Sequence, residues 1–300
     1  MPGGGRSGVA ADAVPVHDPL SSNEFFSGLT TEEQNVTFSL QKSLFDLTGK
    51  VALITGSTKG IGKAIAERMS QHGAKVVISS RKADVCERVA GDINAAGGEA
   101  FPHAANVGKK EELEALVKAT LAKWGRIDIL VCNAAVNPHF GPTAELPESA
   151  WDHVMNANVK SLYLLCNMVI PQMAERGEGA VLFISSLGAF MGSDTMGVYS
   201  ISKAAEIAMA RNMAVEWGPK GIRANCISPG LIKTDFAKAL WADPVLLKYR
   251  QRFTPLQRIG EPDEIAGAAV FLASKAAGFM SGQTLIIDGG RYAGQVTQQE

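Results

Sequence analysis

The sequence predicts an α/β fold: one domain built on a doubly wound, seven-stranded parallel sheet with helices on both faces. Three observations carry this expectation. Short β-branched runs alternate regularly with amphipathic stretches from Lys50 onward. The runs are apolar throughout, as strands covered on both faces are. A glycine-rich turn, "TGSTKGIGKA", stands at the first strand-to-helix junction.

Taken in order, "VALIT" (51–55) is the first strand, followed by the amphipathic "IGKAIAERMSQHG". Then come "KVVIS" (75–79), a helix from Ala83, and a weaker strand, "AFPHAA". A helix from Lys109 to Trp124 leads into "IDILVCN" (127–133), and a long helical region is expected from Pro147 to Glu175. "AVLFIS" (180–185), a helix over Val198 to Trp217, "IRANCIS" (222–228), a helix over 261–273 and "TLIID" (284–288) complete the pattern. This Rossmann-like alternation implies right-handed crossovers and leaves no room for a separate substrate domain.

Residues 1–46 differ from the rest of the chain. They carry six acidic residues against two basic ones, and have neither the basic start and apolar block of a secretory signal nor the arginines of a transit peptide. They are read as a leader, flexible or partly docked, ahead of a catalytic domain at 47–293 and a tail at 294–300. The tail has no S-K-L-type address.

Composition narrows the function classes. With 46% hydrophobic residues, 20% charged residues and a net charge of -1, nothing points to nucleic acid or an anionic membrane surface. No apolar run approaches the ~20 residues of a membrane span. Cys86, Cys132, Cys166 and Cys226 are scattered, without a C-x-x-C pair, and the histidines lack ligand spacing. The expectation is a soluble protein of a reducing, cytoplasmic compartment with no metal.

The glycines of the first turn, Gly56, Gly60 and Gly62, suit backbone N–H groups approaching a pyrophosphate at a helix N-terminus. Ala64 stands where a P-loop needs Ser or Thr. The second strand ends in Ser80, Arg81 and Lys82 with no acid to receive a ribose hydroxyl, and Lys59 adds a cation nearby. Forked, charge-assisted donors suit a 2′-phosphate, so NADP(H) is preferred over NAD(H). A solvated basic loop would look the same. In "GVYSISKAAE", Tyr199 and Lys203 are one helical turn apart and share a face. A surface coincidence would show this spacing, and so would a tyrosine poised for proton transfer.

"TGSTKGIG", "NAA", "SS" thirteen residues before a tyrosine, "YSISK" and "SPGLIKT", in that order, resemble the short-chain dehydrogenase/reductase family over about residues 47–292. "NAAVNP" is similar to a stretch of its carbonyl reductases and tropinone-reductase-like members. The resemblance implies Tyr199 as general acid or base, Lys203 lowering its pKa and holding the nicotinamide ribose, Ser186 (rather than Ser185) holding the substrate oxygen, and Asn158 steadying a relay water. It further implies cofactor contacts from Gly56, Ser57, Lys59, Gly60, Ile61, Gly62, Ser80, Arg81, Asn106, Val107, Asn133, Ala134, Tyr199 and Lys203. After the sixth strand, Pro229, Gly230, Ile232 and Thr234 would join them. Two departures touch the adenine side: Ala135 stands where the family has glycine, and Asn106 where it has aspartate.

Specificity is expected from "VNPHFGP" (136–142), "LGAFMG" (187–192) and the segment from Leu231 to about Pro255, long enough for a lid. His139, Ser186, Leu187, Phe190, Met191, Phe236 and Trp241 are the candidate substrate contacts, with Leu240 adding to an apolar pocket for a bulky ketone or alcohol. The resemblance implies a homotetramer or homodimer. The rivals are an NAD(H)-dependent dehydrogenase of the same family and a nucleotide-sensing protein without chemistry; the latter should have lost Tyr199 or Lys203.

Overall fold

The computed structural model describes residues 44–294, so the leader, except for Leu44, Phe45 and Asp46, and the tail beyond Gly294 lie outside the described residues. Seven parallel strands form one sheet: β1 Val51–Thr55, β2 Lys75–Ser79, β3 Glu99–Pro102, β4 Ile129–Cys132, β5 Gly179–Ile184, β6 Ile222–Pro229 and β7 Thr284–Ile287. Their order is β3-β2-β1-β4-β5-β6-β7. From β1 the chain winds outward to β3, then returns to lay β4 on the other side of β1. That reversal opens a crevice beyond the carboxyl ends of β1 and β4, where open α/β sheets bind ligands.

The register explains the unbroken apolar runs. Leu53 pairs with Val77 on one side and Leu130 on the other. Every residue of β1, β4 and β5 is buried. One face is covered by α1 (Gly60–Gln71), α2 (Ala83–Ala95) and α9 (Pro262–Ala273), which contribute Ile65, Met69, Val89 and Ile265. The other is covered by α3 (Lys110–Trp124), α5 (Ser161–Arg176) and α6 (Gly197–Trp217), which contribute Leu116, Leu165 and Ile207. Helical spacing of these residues puts each apolar stripe against the sheet. Phe183 of β5 is fully buried, and its loss would cost about 3–5 kcal/mol.

The long helical region expected from Pro147 is present, with one irregular turn inside it. α4 (Glu148–Met155) runs into a π-helical turn at Asn156–Lys160, and α5 comes directly after it. A π turn inserts one extra residue and rotates the helix beyond it, a change the apolar period does not reveal. After β6, α7 (Lys238–Trp241) and α8 (Pro244–Arg252) make up the lid segment. Asp243 caps α8, accepting hydrogen bonds from the amides of Val245 and Leu246.

Candidate active site

A cavity of about 740 Å³ runs from the first turn, past the carboxyl ends of β1, β4, β5 and β6, to the lid. At one end lies the glycine turn. Gly56 and Gly60 have φ of 66° and 55°, a left-handed conformation that glycine adopts without strain. A Cβ on Gly62 would collide with the Asn133 side chain and the Gly56 carbonyl. Asn133 Nδ2 donates to the carbonyls of Thr55 and Gly56 at 2.9 and 3.1 Å. It thereby fastens β4 to the turn, and the close packing excludes a side chain at Gly62.

The N-terminus of α1 has no side-chain cap and no acidic residue in its first turn. Its open amides and the dipole behind them suit a phosphate diester. Ser80 and Arg81 line the same cavity at the end of β2, with Asn106 and Val107 beside them. Asn106 Oδ1 accepts from the Gly108 amide at 3.1 Å. This end of the cavity therefore fits an adenine dinucleotide: an uncapped helix start, a cradle with no room for a Cβ, and an arginine free of protein ion pairs among the described residues.

Tyr199 and Lys203 lie in the first turns of α6, both on its buried face and both lining the cavity. Lys203 Nζ sits 5.6 Å from the centre of the Tyr199 ring. Ser186 follows β5 and caps a short 3-10 turn, its Oγ accepting from the Gly188 amide at 3.1 Å. The neighbouring Ser185 is committed elsewhere, donating to the Lys203 carbonyl at 2.8 Å. Of the two serines, Ser186 is the one whose hydroxyl acts on Tyr199, pulling its pKa down.

Lys203 has a partner that sequence reasoning missed. Its Nζ donates to Glu206 Oε1 at 2.7 Å and to the Ile184 carbonyl at 2.9 Å. Both side chains are buried, at 2% and 1% exposure, and Glu206 Oε2 has no hydrogen-bond partner among the described residues. Burial pushes the Glu206 carboxyl up from its ordinary 4.5 to about 7, against the pull of Lys203. Burial pulls the Lys203 ammonium down, but Glu206 and Tyr199 outweigh it and the net direction is up. The Tyr199 hydroxyl is also pushed up by burial, with Glu206 adding to it; Lys203 and the Ser186 hydroxyl pull it down but do not prevail. Lys203 thus acts on the tyrosine in the expected direction, inside a pocket whose burial and Glu206 charge push the other way. An i, i+3 spacing from Lys203 was the available signal for Glu206.

Asn158 lies in the π turn and is fully buried. Its side chain exchanges hydrogen bonds with the backbone of Val136 at 2.8 and 3.0 Å and donates to Ser202 Oγ at 3.1 Å. The side chain ties the loop after β4 to α6. Ser57 is similarly occupied, donating to the Ile54 carbonyl beneath the turn.

Among the substrate candidates, Leu187, Met191, Phe236 and Leu240 line the cavity with Ser186. The Phe236 ring lies 6.1 Å from that of Tyr199. Three others point to different work. His139 contacts the Pro142 carbonyl at 3.3 Å, Phe190 packs on Tyr292 at 5.3 Å, and Trp241 donates to the Thr234 carbonyl at 3.0 Å, pinning the lid's base. Pro229, Gly230, Ile232 and Thr234 line the cavity after β6, as Ala134 does after β4. Phe140, Arg250 and Phe253, from the segments expected to set specificity, also line it, as do His153, Asp288 and Arg291, which were not anticipated. All four cysteines are free and buried, and burial pushes the Cys226 thiol upward, so it packs as a small apolar group.

Comparison with known proteins agrees with this geometry. A family model described as "Enoyl-(Acyl carrier protein) reductase" matches residues 56–291. "Dehydrogenase/reductase SDR family member 4" of Sus scrofa is 42% identical over 244 residues, covering 81% of this chain and 88% of that protein. The protein of the same name from Homo sapiens is 41% identical over the same length. Among solved structures, a 7α-hydroxysteroid dehydrogenase complexed with NADH and 7-oxo glycochenodeoxycholic acid is 38% identical with a TM-score of 0.79, covering 86% of this chain and 98% of that one. A gluconate 5-dehydrogenase from Burkholderia cenocepacia J2315, in complex with NADP and tartrate, is 32% identical with a TM-score of 0.81, covering 84% and 99%.

Proposed function

The chain belongs to the short-chain dehydrogenase/reductase family of oxidoreductases, and from that premise we propose that it is an NADP(H)-dependent alcohol dehydrogenase or ketoreductase. The observation that carries the reading is convergence: Tyr199, Ser186 and Lys203 line the same cavity as the glycine turn, Ser80 and Arg81. The nicotinamide, when bound, supplies or accepts the hydride. The protein's share is to place the carbonyl and to manage one proton. Ser186 Oγ and the Tyr199 hydroxyl both donate to the substrate oxygen, and Tyr199 passes it a proton as the carbon is reduced. Lys203 stabilises the phenolate left behind. Phe236, Met191 and Leu240 favour an apolar ketone and exclude water from the reacting carbon.

NADP(H) is favoured over NAD(H) by Ser80 and Arg81 at the end of β2, where Ser79-Ser80-Arg81-Lys82 contains no acid. The catalytic domain spans 47–293 on this reading, flanked by leader and tail, and the chain works as a homotetramer or homodimer in the cytoplasm. Four free, buried thiols accord with a reducing compartment, and no helix among the described residues is long and apolar enough to cross a membrane. Following absorbance of NADPH, and in parallel NADH, against a panel of aryl and alkyl ketones tests the proposal. Turnover with NADPH is expected; the absence of turnover with either nucleotide, although both bind, would overturn it.

A further inference from the structure

The cavity's third wall, made by α8 and the segment after β7, carries charge that carbonyl reduction does not need. Arg250 ends a turn of α8, while Asp288 and Arg291 follow β7, and all three line the cavity that contains Tyr199. Asp288 is already engaged: Oδ1 accepts from the Gly290 amide at 2.8 Å and Oδ2 from the Tyr292 amide at 2.6 Å. Arg291 donates to the Phe253 carbonyl at 3.0 Å, and its guanidinium lies 4.7 Å over the Phe253 ring. Arg250 is in no ion pair among the described residues, and its Nε is buried without a hydrogen-bond partner.

A buried guanidinium donor left unpaired is costly, and a guanidinium cannot shed its charge. Two arginines against one aspartate leave this wall with one net positive charge. The same cavity is lined by apolar side chains, among them Met191, Phe236 and Phe253. We infer that the site is built for an apolar oxo acid: a ketone whose carbon skeleton carries a carboxylate, seated on Arg250 with Arg291 beside it, while the carbonyl lies at Tyr199 and Ser186. A monoanion neutralises the wall, and a planar carboxylate matches the arginine fork. The inference rests on the reductase reading. In the reaction the carbonyl carbon gains a hydride from NADPH, its oxygen gains the Tyr199 proton, NADPH is oxidised to NADP⁺, and the carboxylate is unchanged.

The test uses the full chain with NADPH and three probes: benzoylpropionate, its methyl ester, and an aryl ketone of similar length bearing a phosphate monoester. Wild type should prefer the acid over the ester at least about tenfold in kcat/KM, chiefly through KM. Arg250→Gln should bring that ratio close to unity, and Arg250→Lys should restore part of it. Calorimetric binding of acid and ester to the NADP-loaded protein gives the same ratio without turnover. If the acid still binds better in an Arg250-dependent way while nothing is reduced, the carboxylate seat on Arg250 stands and the reductase reading falls. Equal handling of acid and ester by wild type would overturn the inference. So would preference for the phosphate ester, or an Arg250→Gln loss of NADPH affinity as large as the loss for the acid, which would assign the arginine to the cofactor.

Discussion

Lys203 and Glu206 form a buried ion pair, with Nζ and Oε1 2.7 Å apart, in the helix that also carries Tyr199. The lysine's charge therefore does not reach the tyrosine undiluted. Above a pH of about 7 the Glu206 carboxylate offsets Lys203; below it the protonated carboxyl leaves the ammonium unopposed. Glu206→Gln fixes the second condition at every pH. Tyr199 should then ionise more readily, and the alkaline limb of ketone reduction should move down by on the order of 1 pH unit. An unmoved limb in the pH–rate profile would mean that Glu206 serves the fold alone.

The same pair makes stability depend on pH, with a definite sign. Folded, the Glu206 carboxyl keeps its proton up to about 7; unfolded, it loses it near its ordinary 4.5. Between those values the native state binds more protons, so its stability falls as pH rises through the interval. The contribution is fullest below 4.5 and gone above about 7. Relative to Glu206→Gln, the Tm of wild type should decline across about pH 5 to 8. A constant difference would show that burial is relieved by water.

Arg81 is exposed, lines the nucleotide end of the cavity and forms no ion pair among the described residues. Arg81→Asp should weaken NADPH binding at least about tenfold and narrow or reverse the preference over NADH, since it replaces a phosphate donor with a carboxylate suited to a ribose hydroxyl. Fluorescence titration of both nucleotides checks this. Unchanged NADPH affinity would remove the argument for the phosphate.

Tyr199→Phe deletes one hydroxyl from a ring that is 7% exposed and packs 6.1 Å from Phe236. Packing should survive, so NADPH affinity and Tm should stay close to wild type. Turnover should fall by roughly 10²–10⁴-fold, the scale of a lost acid-base group. Activity near wild type would place the acid elsewhere.

The sheet was legible because its signal is local and repeated: each of the seven apolar runs in the sequence is a strand, within a few residues at each end. The glycine turn and the Tyr199–Lys203 spacing were legible for the same reason. What escaped was set by contacts distant in sequence. The π turn at Asn156–Lys160 depends on Asn158 reaching Val136 and Ser202. Arg250 and Arg291 reach one wall only because α8 and the end of β7 fold over the same cavity. Glu206 reads as one more polar position on a helix until its burial is seen. His139, Phe190 and Trp241 had the right chemistry at plausible positions, but other groups of the protein take their side chains: the Pro142 carbonyl, Tyr292 and the Thr234 carbonyl.

Two glycine-to-alanine substitutions separate the cradle from ordinary helix. At Gly91, within α2, a methyl would meet nothing within 4 Å. Gly91→Ala should stabilise the protein by about 0.5–1 kcal/mol through helix propensity and lower unfolded-state entropy. At Gly62 the methyl enters the Asn133 side chain and the Gly56 carbonyl, so β4 and the turn must separate or Asn133 must give up its bonds to Thr55 and Gly56. Overpacking of this kind costs about 1–3 kcal/mol, and the displaced amides are those placed to meet a pyrophosphate. Gly62→Ala should therefore lower Tm and NADPH affinity together, whereas Gly91→Ala raises Tm and leaves affinity unchanged. Normal NADPH titration by the Gly62 variant would show that the turn's tightness serves packing alone.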